Sequence, residues 1–154
     1  MTMFTYKYPR PCVTTDCLIF RQIEKVWQLL LIERGDEPFK GSWALPGGFV
    51  EMDEDLEAGA VRELKEETGL KGIELHQFQA FGAPDRDPRA RTITIVYWGM
   101  APSEAHAKGG DDAAQARWFA LDSLPALAFD HDVIIASALQ DERVQKWMKK
   151  NETI

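Results

Sequence analysis

The chain has 154 residues, 45% of them hydrophobic and 28% charged, with a net charge of −7, which fits one soluble globular domain able to bury its own core. The acidic balance argues against a nucleic-acid-binding surface, because such surfaces need clustered Lys and Arg. It leaves nucleotides open, since a metal ion can mediate between carboxylates and phosphate.

The opening "MTMFTYKYPR" has no apolar segment of the secretory kind. The longest apolar run, "LLLI" within "VWQLLLIER", is far too short to span a bilayer. The expected compartment is the cytoplasm, with no membrane partner. "CVTTDCLIF" reads as a first strand and "VWQLLLIER" as a second, joined by a charged turn at Arg21 to Lys25. Cys12 and Cys17 fall on opposite faces of the first strand, so a disulfide between them is geometrically implausible.

A Gly/Pro-punctuated loop, "GDEPFKGSW", leads to "ALPGGFV", where Pro46-Gly47-Gly48 predicts a sharp backbone turn. A helix is expected from about Leu56 to Thr68, with Asp55 as N-cap and Gly69 as the C-terminal glycine. "IELHQFQAFGAP" and "RTITIVYWGMA" read as two further strands, separated by "PDRDPRA". After the loop "PSEAHAKGGDDAA" comes a short strand, "ARWFA", then a single turn capped by Asp122. The last element, "DVIIASALQDERVQKWMKK", reads as one amphipathic helix ending in Lys, as the helix dipole favours. Two helices on a mixed sheet predict a layered α/β domain over residues 1–154, with no linker or repeat.

The first helix carries the chemistry. With Leu56 at zero and about 100° per residue, Ala60, Leu64 and Val61 form an apolar stripe. Glu67 falls inside that stripe and Glu63 at its edge. Glu63, Glu66 and Glu67 stand at i, i+3 and i+4, so their carboxylates crowd one face and repel. Lys65 points away from them. A buried unpaired charge is expensive, and a divalent cation relieves both costs, since hard oxygen ligands in a cluster are what Mg²⁺ uses. Arg62 is placed to hold one carboxylate or to touch a phosphate. Gly59, in mid-helix, costs about 1 kcal/mol relative to Ala and suggests close packing.

From Gly48 the sequence runs through five residues to Glu54, seven more to Arg62, then Arg62-Glu63-Leu64-Lys65-Glu66-Glu67-Thr68-Gly69-Leu70. This resembles the complete box of the Nudix hydrolases. A chance match at a given start is on the order of one in ten to the eighth at average composition. The resemblance implies a Nudix-like α/β/α sandwich, with a mixed β-sheet between helices. It implies an enzyme that hydrolyses the pyrophosphate bond of a nucleoside diphosphate linked to another moiety. It implies that Glu66 and Glu67 coordinate divalent ions, Mg²⁺ or Mn²⁺. Glu63 would join them, the Gly48 carbonyl would complete the shell, and Glu54 and Arg62 would support the site as an ion pair. "WALPGGFVE" and "ARWFALDSLPALAFDH" are similar to the branch containing ADP-ribose pyrophosphatases. That branch often carries a proline near the position of Pro84, fifteen residues after Gly69. Met52-Asp53 departs from the Pro-Gly common at that turn in relatives.

Outside the box the alternatives stay open. Arg86, Arg89 and Arg91 interleave with Asp85 and Asp87, either self-paired or with one arginine on the pyrophosphate, Arg86 first. Glu104, Asp111 or Asp112 could supply a further metal ligand or general base. His131 could touch substrate, or belong to a helix cap beside Asp130 and Asp132. Phe20, Trp43, Tyr6 and Phe81 are candidates for stacking an adenine. No Ser-His-Asp or Cys-His arrangement is visible. The resemblance also implies two alternatives: a domain that senses ADP-ribose without cleaving it, or a pyrophosphatase that sanitises nucleoside triphosphates. The sensor is disfavoured by the intact box and by a chain expected to stop after its last helix. Relatives are often homodimers, and the aromatics of "MTMFTYKYP" could serve an interface.

Overall fold

The computed structural model describes residues 2–110 and 113–152. Strands β1 (Cys12–Ile23) and β2 (Val26–Arg34) form a hairpin. Its turn is only Glu24 and Lys25, both at positive φ (49° and 68°), the conformation that matches strand twist in a two-residue hairpin. The turn is shorter than expected because β1 continues through Ile23. The short strands β3 (Trp43–Ala44) and β4 (Gly47–Phe49) follow, then helix α1 (Leu56–Thr68). Strands β5 (His76–Phe81), β6 (Thr92–Met100) and β7 (Ala113–Ala120) precede helices α2 (His131–Gln140) and α3 (Glu142–Lys150).

The strands form one mixed sheet in the order β3-β2-β1-β6-β5, with β4 paired to β1 and β7 to β2. β1 and β6 run parallel, whereas the other pairs are antiparallel. Alternation along the central strands sends residues to two cores. Cys17, Ile19, Leu30 and Tyr97 pack with Ala60 and Leu64 of α1. Leu18, Phe20, Leu29, Leu31, Val96 and Trp98 pack with Ile134, Ile135 and Ala138 of α2 and Val144 of α3. Each fully buried Leu or Phe contributes about 2 kcal/mol relative to exposure. The layered α/β expectation holds, with helices on both faces of the sheet. Among the described residues no helix is long and apolar enough to cross a membrane.

Three local expectations need correction. The final helix is two helices. Asp141 takes extended backbone (φ −77°, ψ 130°), and its side chain accepts from the N–H groups of Arg143 and Val144, starting a new helix. Asp55 occupies the N-cap position of α1 but makes no side-chain cap bond. The turn around Asp122 forms as expected, but the Asp122 carboxylate accepts from the Ser123 hydroxyl at 3.0 Å instead of capping it. Gly69 ends α1 in the left-handed conformation at φ 78°, its N–H donating to the Lys65 carbonyl.

Candidate active site

The inward face of α1 buries Ala60, Leu64 and Glu67, whereas Val61, expected in the same stripe, is exposed. Glu67 is 8% exposed, a carboxylate among core residues. Its Oε1 accepts the Gly47 N–H at 2.7 Å, which ties α1 to the start of β4. The two glycines there are required by proximity, since neither has positive φ and they lie in a strand instead of the sharp turn expected. A Cβ on Gly47 would stand 2.5 Å from Asp16 Oδ1 and collide with the Thr15 carbonyl. A Cβ on Gly48 would stand 2.5 Å from the Glu63 carboxyl carbon. Gly59 plays a related part, because a Cβ there would lie 3.0 Å from Glu54 Oε1.

Arg62 organises the outer carboxylates. Its Nε and Nη2 donate to the two oxygens of Glu54 at 2.9 and 2.6 Å. Its Nη1 is shared between Glu63 Oε1 at 2.9 Å and Glu66 Oε2 at 3.1 Å. Nη2 also donates to the Phe49 carbonyl at 3.1 Å, holding the loop before α1 against the helix. The Arg62 bonds and a bond from the Glu51 N–H keep the Glu54 carboxyl near 2, well below the usual carboxylate range. Burial pushes Glu63 up. Burial also pushes Glu67 up to about 8, with the charges of Glu63 and Asp16 adding to it.

Among the described residues no three carboxylate, imidazole or thiol groups stand together as a ready-made metal cage, because Arg62 draws Glu63 and Glu66 to itself. The donor set nevertheless fits a hard divalent cation. Glu63, Glu66 and Glu67 offer only carboxylate oxygens, and Glu67 is a buried acid whose ionised form lacks a cation in contact.

These carboxylates form one side of a cavity of about 420 Å³, whose other walls include Arg34, Arg86, Arg89, Phe49, Phe129 and His131. Arg86, the arginine expected on the pyrophosphate, is buried and spends its fork on Asp130: Nη2 donates to Oδ1 at 2.7 Å and Nε to Oδ2 at 3.0 Å. Asp130, the N-cap of α2, therefore makes no cap bond. Arg89 pairs with Asp87 at 2.7 Å, and Arg91 donates to the Gly82 carbonyl. Pro84 is exposed and lies outside the cavity wall.

His131 is buried, and its Nδ1 accepts the Leu45 N–H at 3.0 Å. Its Nε2 stands 3.8 Å from Asp16 Oδ1. Burial lowers its pKa, which keeps the imidazole neutral. Asp16 in turn accepts from the Thr94 hydroxyl at 2.5 Å. His131 thus anchors the segment at Leu45 that leads into β4 and Gly47.

Glu104 is exposed and accepts from its neighbour Ser103, whereas Asp111 and Asp112 lie outside the described residues. Of the proposed stacking aromatics, Phe20 is fully buried, and Trp43 and Phe81 pack against the same core. Tyr6 lies outside this cavity, stacked on Phe4 and beneath the Arg10 guanidinium. The aromatics in the wall are Phe49 and Phe129, which sequence reasoning passed over together with Asp16 and Arg34. Phe49 is the second residue of the box, a place that the sequence alone could have flagged. Phe129 carried no signal, since its place depends on a positive φ of 53°.

The chain is similar to known proteins in sequence and in fold. The profile of the NUDIX domain matches residues 10–139. The chain is 47% identical over 128 residues to an ADP-ribose pyrophosphatase of Methanocaldococcus jannaschii, covering 83% of this chain and 73% of that one. It is 36% identical over 135 residues to the ADPR responsive transcriptional repressor NtrR of Acinetobacter baylyi, covering 85% of this chain but only 54% of the repressor. The NUDIX domain of Shewanella oneidensis NrtR, solved as a complex with ADP ribose, superposes with a TM-score of 0.80 at 29% identity, over 86% of this chain and 89% of that one. The profile covers most of the chain, which therefore belongs to the Nudix family.

Proposed function

We propose that this protein is a divalent-metal-dependent pyrophosphohydrolase that cleaves ADP-ribose to AMP and ribose 5-phosphate. The observation that carries the reading is Glu67, a buried carboxylate beside Glu63 at the floor of a cavity walled by arginines. The 47% identity to an ADP-ribose pyrophosphatase supports the choice of substrate.

Glu63, Glu66 and Glu67 would hold the metal, Mg²⁺ or Mn²⁺, with the Gly48 carbonyl beside them. A bound ion would neutralise charge on the diphosphate and help ionise the attacking water. The chain's own groups do the positioning. Gly47 N–H fixes the rotamer of Glu67. Arg62 and Glu54 brace the segment between the end of β4 and α1, next to Gly48, and Arg62 Nη1 keeps Glu63 and Glu66 on one side of the helix. Water adds to one phosphorus, the bridging P–O bond breaks, and the bridging oxygen leaves with the other phosphate. Hydrolysis yields two phosphate monoesters with no covalent enzyme intermediate. Arg86, paired to Asp130, would act on substrate only through the shape of the wall, and Pro84 would have no contact.

The test is turnover of ADP-ribose, 8-oxo-dGTP and a panel of nucleotide sugars, with Mg²⁺ and with EDTA. EDTA-sensitive release of AMP from ADP-ribose is expected. Preference for 8-oxo-dGTP would move the protein to triphosphate sanitation. The relation to the repressor favours one further reading, a domain that binds ADP-ribose without cleaving it. Tight binding with no product would support it.

A further inference from the structure

Leu45, Pro46 and Gly47 are held by three different elements. The Leu45 N–H donates to Nδ1 of His131, the first residue of α2, at 3.0 Å. The Pro46 carbonyl accepts the Cys17 N–H of β1 at 2.8 Å. The Gly47 N–H donates to Glu67 of α1 at 2.7 Å. The tie through His131 is the unusual one, because it spends a buried imidazole on a backbone N–H.

That bond fixes the state of the ring. A ring nitrogen that accepts an N–H presents its lone pair there, so the proton of the neutral imidazole sits on Nε2. Nε2 stands 3.8 Å from Asp16 Oδ1. Asp16 is buried, and strand alternation puts it on the α2 side of the sheet with Leu18 and Phe20. Its Oδ2 accepts the Thr94 hydroxyl. Its Oδ1 is left toward the imidazole and toward Gly47, where a Cβ would stand 2.5 Å from it. A buried polar chain whose members are partnered in this way holds one geometry. Thr94 fixes Asp16, Asp16 orients the imidazole, and the imidazole fixes Leu45. Ile134 and Ile135 bury the next turn of α2 in the core, so His131 is carried by a rigid element.

We propose that Thr94, Asp16 and His131 are positioning residues for the metal site: by fixing Leu45 they set where Gly47 meets Glu67 and where the Gly48 carbonyl stands. This rests on reading Glu63, Glu66 and Glu67 as the metal ligands. Asp16 and His131 line the cavity, yet their effect runs through the backbone from Leu45 to Gly47 and needs no contact with substrate. Partners that orient metal ligands in this manner are worth about 10- to 100-fold in affinity for the ion.

The test is Mn²⁺ binding without nucleotide, read from the paramagnetic resonance of the free ion. It compares the wild-type protein with His131→Gln, His131→Asn, Thr94→Val, Glu67→Gln and Val144→Ala. His131→Gln removes the acceptor at the Nδ1 position and should weaken Mn²⁺ binding roughly tenfold. His131→Asn puts an amide oxygen where Nδ1 stood and should restore most of the affinity. Thr94→Val keeps the shape of the side chain, frees Asp16 and should weaken the ion several-fold. Val144→Ala opens a cavity in the core against α3, so it should lower the melting temperature and leave Mn²⁺ binding unchanged. The proposal is overturned if folded His131→Gln binds Mn²⁺ like the wild type, or if His131→Asn loses as much as His131→Gln. It is also overturned if Val144→Ala weakens the ion equally, since lost stability would then explain the effect. Should His131→Gln not fold, wild-type binding by Thr94→Val overturns it. Glu67→Gln that binds like the wild type overturns the metal reading as well. Loss in Glu67→Gln with none in His131→Gln overturns the positioning role alone.

Discussion

The Gly47 N–H and the Glu67 carboxylate, twenty residues apart in sequence, meet at 2.7 Å. This bond joins the start of β4 to the inward face of α1, while the missing Gly47 side chain lets β4 lie against Thr15 and Asp16 of β1.

The neighbouring glycines therefore predict different failures. Gly47→Ala drives a methyl group into the Thr15 carbonyl and Asp16 Oδ1, so β1 and β4 must separate. A loss of about 1–3 kcal/mol is expected, read as a lower denaturation midpoint. Gly48→Ala meets the end of the Glu63 side chain at 2.5 Å, which can swing aside. Stability should hardly change, while turnover should fall by about tenfold or more as Glu63 is displaced.

The burial of Glu67 predicts a pH dependence. Its folded pKa, about 8, lies above the ordinary value of 4.5. Between those values the folded state binds more protons than the unfolded state, so its contribution to stability is full below pH 4.5 and is lost as pH rises through about 8. In chelator, stability should fall over this window, and Glu67→Gln should flatten the slope. A divalent cation competes with that proton, so added Mg²⁺ should raise the melting temperature more at pH 8 than at pH 5. Thermal scans at the two pH values check both points.

Arg86 and Asp130 predict a structural role for an arginine that the sequence offered to the substrate. The Arg86 side chain is 3% exposed and that of Asp130 19%. Arg86→Ala leaves a largely buried carboxylate without its partner, at a cost of about 3 kcal/mol. Removing both partners, in Arg86→Met with Asp130→Asn, should recover much of that loss. A double-mutant cycle in denaturant measures the coupling. Lost turnover in Arg86→Ala at unchanged stability would instead return Arg86 to the substrate.

The legible parts of this protein are those set by local spacing. The period of α1, its glycine stop at Gly69 and the apolar runs of β1 and β2 each depend on neighbours within a few residues. So does the i, i+3, i+4 spacing of Glu63, Glu66 and Glu67. What stayed hidden depends on distant partners. Arg86 reaches Asp130 across 44 positions, which local charge alternation could not reveal. Gly47 and Gly48 looked like turn formers, but their purpose is set by Asp16 and Glu63 pressing on them. Asp141 divided the last helix because its side chain offered two N–H groups a better acceptor than a continued helix would. Phe129 lines the cavity only because tertiary packing holds it at positive φ.

The most direct test of the account is the rate of ADP-ribose hydrolysis by Glu67→Gln across a Mg²⁺ titration, set beside the wild-type protein. The amide can still accept the Gly47 N–H, so the fold should be kept, as should the melting temperature at low pH, where Glu67 is protonated. Turnover should fall by about a hundredfold or more. A folded Glu67→Gln that reaches near-wild-type turnover at saturating Mg²⁺ would contradict the claim that the carboxylate face of α1 holds the catalytic metal.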